Sequence, residues 1–117
     1  MMDFTERKVL ILINSKPFGK IMAAEGWRAA VGMFGMDHES QMLFMGDGVY
    51  GLMKEQDIAP IRMFKSTFES FDGRVLISKK SLDERNIDPS ELFDEVEVLG
   101  DAEVAKALVE NEVIITF

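Results

Sequence analysis

Short unbroken apolar runs alternate with longer stretches of helical period along this chain. Lys8-Val-Leu-Ile-Leu-Ile-Asn14 and Gln41-Met-Leu-Phe-Met45 are apolar on both side-chain faces, which predicts strands buried on both sides, as in parallel sheets. Arg74-Val-Leu-Ile-Ser78 predicts a third strand of the same kind, and Val113-Ile-Ile-Thr-Phe117 a last one. Phe93 to Leu99 predicts a fourth strand that carries Asp94, Glu95 and Glu97. That density of charge suits a sheet edge, where it deters pairing with another chain.

The stretches between these runs read as helices. From about Ile21 to Phe34, the residues Ala23, Trp27, Ala30, Val31 and Phe34 form one apolar stripe. Met22, Ala29 and Met33 make much of the other face apolar too, leaving mainly Glu25 and Arg28 polar. A helix apolar nearly all round is buried on both sides, and in so small a protein the second cover can be another chain. Met22, Trp27, Met33 and Phe34 are therefore candidate oligomer contacts. Gly26 and Gly32 would let a neighbour approach closely, at about 1 kcal/mol each against alanine. After Pro60, Ile61 to Phe71 reads as a helix with Ile61, Phe64 and Phe68 inward, closed by an Asp72-Gly73 turn. A short helix is expected over Ser81–Asn86, with Asn86 as its stop, and a longer one from a capping Asp101 to about Glu110.

The resulting order, β-α-β-α-α-β-α-β-α-β, predicts an α/β fold: a mostly parallel five-stranded sheet covered by helices on both faces. It is expected to form a single domain over residues 1–117. Ligands of such sheets bind outside the carboxyl ends of the strands. That singles out three loops, Ser15–Lys20, Gly46–Gly51 and Ser78–Ser81.

Composition narrows the chemistry. Hydrophobic residues make up 47% of 117 residues, enough for one core and too many for a disordered chain. There is no cysteine, so no disulfide, thiolate metal site or cysteine nucleophile. No apolar run approaches the ~20 residues that span a bilayer, and the opening MMDFTERK does not have the form of a secretory leader. The expectation is a soluble cytoplasmic protein with no membrane partner. The net charge of −8 is uneven: residues 83–117 hold 11 acidic side chains and only two basic ones, Arg85 and Lys106. Direct nucleic-acid binding, which needs a basic footprint, is not expected. The acidic end is either a solvated face that aids solubility or a docking face for a basic partner. All nine methionines lie within residues 1–63, and methionine is common on adaptable contact surfaces.

Several residues could carry chemistry. Lys16 and Lys20 follow the first strand, and Ser78, Lys79, Lys80 and Ser81 follow the third. If those strand ends are neighbours, they form a pocket for phosphate or a sulfur oxyanion; otherwise the lysines are simply solvated. Gly46-Asp47-Gly48 permits a tight turn in which Asp47 can cap the next helix, or Asp47 and Tyr50 line a site or an intersubunit seam. The only histidine, His38, sits between Asp37 and Glu39, a trio expected in an exposed loop. A metal or catalytic role for His38, or a triad with Ser78 or Ser81, has no supporting motif.

At these residues the chain resembles the DsrE/DsrF-like sulfur-relay family, particularly its TusC/DsrF branch. The resemblance is carried by the first strand with its loop, Glu25-Gly26, and Phe44-Met-Gly-Asp-Gly-Val-Tyr50. It continues through Val75-Leu-Ile-Ser-Lys-Lys-Ser-Leu-Asp-Glu-Arg-Asn-Ile-Asp88 and Glu112-Val-Ile-Ile-Thr-Phe117. It implies a three-layer flavodoxin-like α/β/α sandwich that assembles into trimers or hexamers, alone or with cysteine-bearing DsrE-like subunits, with no cofactor or metal. In thiol-bearing members the persulfide-carrying cysteine lies just after the third strand, which falls at or near Ser78. A serine cannot carry a persulfide, a role that belongs to a thiolate. The resemblance therefore implies a non-catalytic accessory subunit, as in tRNA 2-thiouridylation or dissimilatory sulfur oxidation, and not an enzyme by itself. The alternative is an oligomeric module that binds a small anion or nucleotide through the strand-end lysines.

Overall fold

The structure is a computed structural model that describes residues 6–17 and 21–117. Five parallel strands form one sheet: β1 Lys8–Ile13, β2 Glu39–Phe44, β3 Arg74–Ser78, β4 Val96–Leu99 and β5 Val113–Thr116. Their order across the sheet is β4-β3-β2-β1-β5. The apolar runs occupy the middle, as their two-sided hydrophobicity requires: Leu10, Ile11 and Ile13 of β1, and Met42, Leu43 and Phe44 of β2, are fully buried. The charged fourth strand lies at one edge, and β5 at the other.

Alternation along each strand feeds two cores. On one face Val9, Ile11, Ile13, Met42, Phe44, Val75 and Ile77 pack with α1 (Met22–Gly35) and with Phe68 of α2 (Arg62–Ser70). On the other, Leu10, Leu43, Leu76 and Leu99 meet Val104 and Ala107 of α4 (Asp101–Glu110). The second layer is one helix wide. Ile114 of β5, beside Leu10 in register, is left 43% exposed.

Trp27 is the centre of the larger core. It is 1% exposed, with the rings of Phe44 and Phe68 each 5.9 Å away. Its place is the chain's own interior, not an outer contact face. Met22 is exposed, while Met33 and Phe34 are half-buried and packed against the larger core, Phe34 with its ring 5.6 Å from Phe68 and 5.3 Å from Phe71. The two helix glycines differ. A methyl group on Gly26 would lie 2.2 Å from Ile13 Cδ1, so this glycine lets α1 sit down on β1. Gly32 has nothing within 4 Å.

Several boundaries differ from the sequence expectation. β4 begins at Val96 and not at Phe93, because the Phe93 amide donates to the Leu52 carbonyl (3.1 Å) and an antiparallel bridge joins Met53 to Leu92. The fourth helix starts at Asp101 itself, and its cap is Gly100. There the Glu103 carboxylate accepts from the Gly100 amide at 3.4 Å, while Asp101 and Glu103 place negative charge at the positive end of the helix. The short helix α3 spans Lys79–Glu84, earlier than expected, because Ser78 rather than a later residue caps it. Asn86 ends that segment in the left-handed region at φ 54°.

Candidate functional site

The carboxyl ends of β2 and β3 are joined by a hydrogen-bonded brace. After β2 the chain winds directly into a 3-10 turn over Gly46–Leu52 instead of a loop followed by a helix. Gly46 stands at φ +53°, a conformation open to glycine. Gly48 is needed for space: a methyl group there would lie 2.2 Å from the Ile13 carbonyl oxygen. The turn is thereby pressed against the end of β1, where the Met45 amide also donates to the Ile13 carbonyl at 3.0 Å.

The Gly46 amide donates to Ser81 Oγ (2.9 Å), and the Ser81 amide donates to Ser78 Oγ (3.2 Å). Ser78 and Ser81 are both buried, at 3% and 6% exposure, and both hydroxyls act here as acceptors. Arg85 completes the brace. Its Nη1 donates to the Ser81 carbonyl at 3.1 Å, and its Nε and Nη2 both donate to Asp47 Oδ1. Asp47 therefore caps nothing; no side chain caps the 3-10 turn, and the carboxylate is held by an arginine 38 residues away. Arg85 had no motif to mark it. The available signal was that it is one of only two basic residues in the acidic stretch 83–117.

The described strand-end lysines do not join this brace. Lys20 lies outside the described residues. Lys16 follows β1, Lys79 and Lys80 follow β3, and β2 lies between those two strands. All three described lysines are exposed, and Lys79 is paired with Asp83 at 2.9 Å, which raises its pKa chiefly through that hydrogen bond. Tyr50 is half-buried within the 3-10 turn.

His38 sits at the amino ends of the strands, just before β2, where its Nδ1 accepts from the Arg7 amide at 3.1 Å. It is half-buried and ties the entries to β1 and β2 together, where an exposed loop residue was expected. Ser78 is at the carboxyl end of β3, so a strand length of about 15 Å separates the two and excludes a Ser78–His38 pair. Among the described residues, no group of three histidine or acidic side chains could hold a metal ion. No helix among them is long and apolar enough to cross a membrane.

An ion pair that shifts both of its partners lies away from the brace. Arg74 at the start of β3 donates through Nε and Nη2 to the two carboxylate oxygens of Glu97 on β4, at 2.9 and 2.8 Å. That hydrogen bonding holds the Glu97 carboxyl below its ordinary range and raises Arg74. It latches two neighbouring strands and faces no strand-end loop.

Known proteins match both the sequence and the fold. A curated relative, the intracellular sulfur oxidation protein DsrF of Allochromatium vinosum, is 27% identical over 131 aligned positions, covering 95% of this chain and 96% of its own length. The crystal structure of the ychN protein from E. coli superposes with a TM-score of 0.82 at 22% identity, over 95% of this chain and 99% of that one. MTH1491 from Methanobacterium thermoautotrophicum, described as a protein of unknown function, superposes with a TM-score of 0.70 at 15% identity, over 97% of this chain and 100% of its own. These two likenesses concern the fold. The family model described as DsrE/DsrF-like matches residues 7–117, and the chain belongs to the DsrE/DsrF-like family.

Proposed function

We propose that this chain is an accessory subunit of a sulfur-relay complex. In this reading it has no part in covalent sulfur transfer and serves to build an oligomer around cysteine-bearing DsrE-like subunits. One observation carries the proposal: the likeness to a sulfur oxidation protein runs along 95% of the chain, yet the chain has no cysteine. At or near the position where thiol-bearing members are expected to carry their cysteine stands Ser78, whose hydroxyl is buried and accepts from the Ser81 amide. A side chain committed to a helix cap is a structural element, and its oxygen cannot store sulfane sulfur.

Exposed apolar surface supports assembly. Met22, Met36, Met63 and Phe71 on the α1–α2 side, and Val109 and Ile114 on the α4 side, all stand open to solvent in the single chain. In this reading those side chains contribute to the faces that meet other subunits. In this reading residues 1–117 act as one domain in the cytoplasm. The complex is a trimer or hexamer of the TusC/DsrF kind that serves tRNA 2-thiouridylation or sulfur oxidation, and the subunit needs no cofactor of its own.

The test is the mass of the purified protein in solution, alone and after co-expression with a cysteine-bearing relative encoded beside it. A mixed oligomer in which persulfide loading of the partner's thiol depends on this chain is the expected result. A homo-oligomer that ignores every such relative, and leaves their loading unchanged, overturns the proposal.

A further inference from the structure

The sheet ends on one side in an open strand. β4 pairs with β3 alone, in register from Val75 and Val96 to Ser78 and Leu99. Among the described residues its one other backbone bond runs from the Val96 amide to the Phe93 carbonyl, at 3.4 Å. About half of an edge strand's N–H and C=O groups point away from the sheet, and they are a template for a further strand.

The two faces of that edge differ. On the α4 side Glu97 holds Arg74, and Glu103 shares a recess with Arg74 and Leu99. On the α1 side Phe93, Val96 and Val98 are half-buried against the larger core. Lys65 lies over the Phe93 ring, and its charge is paired with Glu69. Between Arg85 and Lys106 the chain carries seven acidic residues and no basic one. Asp88, Glu91 and Glu103 accept backbone N–H bonds in caps. Asp94, Glu95 and Asp101 are exposed and form no ion pair among the described residues. Solvated carboxylates of this kind act through steering and sign more than through contact energy. They repel a second copy of the same edge and favour a basic strand. The charge that deters self-pairing thus also selects the partner.

We infer that the β4 edge is a docking site for an extended protein segment that adds a sixth strand to the sheet. Its lysine or arginine side chains lie on the face of Glu97 and Glu103, and its apolar side chains on the face of Val96 and Val98. The partner segment therefore alternates basic and apolar residues with the strand period of two. β5, the other edge strand, reads Val-Ile-Ile-Thr and has no charge with which to make this selection. The site stands independently of the relay role.

Three capped peptides test it by titration into the labelled protein, read at its backbone amide resonances. The first is acetyl-Lys-Val-Lys-Val-Lys-Val-Lys-amide. The second, acetyl-Lys-Lys-Lys-Lys-Val-Val-Val-amide, has the same composition without the alternation. The third replaces every lysine of the first with glutamate. A chain of net charge −8 attracts any cationic peptide, and the second peptide controls for that. The alternating lysine peptide should give saturable shifts centred on Val96–Leu99, with the amides of β5 unmoved. The block peptide should bind about tenfold more weakly, and the glutamate peptide should leave the spectrum unchanged. Asp94→Lys/Glu95→Lys reverses two exposed charges just before β4 and should weaken the alternating peptide about tenfold. High salt should weaken it in the parent protein too. The assignment is overturned by no saturation with the alternating peptide, by equal binding of the block peptide, or by shifts centred on β5. Affinity that ignores both high salt and the charge reversal would overturn it as well.

Discussion

Arg85 holds Asp47 through two nitrogens, Nε at 3.2 Å and Nη2 at 3.1 Å from the same carboxylate oxygen, and so ties α3 to the turn after β2. The same guanidinium donates to the Ser81 carbonyl. Arg85→Ala removes three charge-assisted bonds from a partly buried site. We expect a loss of about 1–2 kcal/mol, with a coupling to Asp47→Ala of about 0.5–1 kcal/mol in a double-mutant cycle. Urea unfolding of the four proteins measures it. Strict additivity would mean that the pair contributes nothing to the brace.

The single tryptophan sets the scale for the core. Trp27 is enclosed by Phe44 and Phe68, so Trp27→Ala is expected to cost about 3–5 kcal/mol. Trp27→Phe should recover most of that loss. A thermal midpoint unchanged by the alanine variant would contradict the packing described.

Two glycines should respond in opposite directions. Gly48→Ala drives a methyl group into the Ile13 carbonyl, a backbone atom that cannot move aside alone, and should cost about 1–3 kcal/mol. Gly32→Ala meets nothing within 4 Å inside a helix and should stabilise by up to about 1 kcal/mol. If Gly32→Ala instead weakens the oligomer while the monomer gains stability, then α1 meets a partner closely at that point. Comparing denaturation midpoints with solution mass separates the two effects.

The Arg74–Glu97 latch makes a pH prediction. The folded Glu97 carboxyl lies below its ordinary range because Arg74 hydrogen-bonds it. A depressed folded pKa contributes stability that is present above the unfolded value of about 4.3 and is lost as pH falls through the folded value. Glu97→Gln should therefore be less stable than the parent at pH 7, with the gap closing below about pH 4. Both side chains are about half exposed (51% and 45%), so the gap should be within about 1 kcal/mol and shrink in high salt. A gap independent of pH would remove the ion pair as its cause.

Ser78 joins the fold to the proposed role. Its hydroxyl caps α3, so Ser78→Ala should cost about 1 kcal/mol. Assembly with a cysteine-bearing partner should survive that change, since the proposed contribution of this chain lies in its surfaces. Loss of partner assembly at unchanged monomer stability would instead place this position in the interface.

Much of the fold was legible because its signals are local. A run such as Val9–Ile13, apolar on both faces, fits the middle of a parallel sheet, and the charge of Glu97 fits an edge. Asn86 as a helix stop, and Ile61, Phe64 and Phe68 as the inward side of a helix, come from φ preference and a period of about 3.6 residues. The candidate site was less legible. Asp47 read as a cap because capping is a local habit of aspartate, whereas its partner, Arg85, comes from another element. Trp27 read as both core and interface, since a helix apolar all round does not say which side meets its own sheet.

Sequence by itself determined the strands and helices, their order and the lack of any thiol, because periodicity, turn chemistry and residue identity are properties of neighbours along the chain. Tertiary structure decided which strand ends are adjacent, placing β2 between the strands that lead to the two sets of lysines. It joined Asp47 to Arg85 and Ser81 to Gly46. Those relations depend on sheet order and on which face each helix covers, and both are settled by packing between segments far apart in the chain.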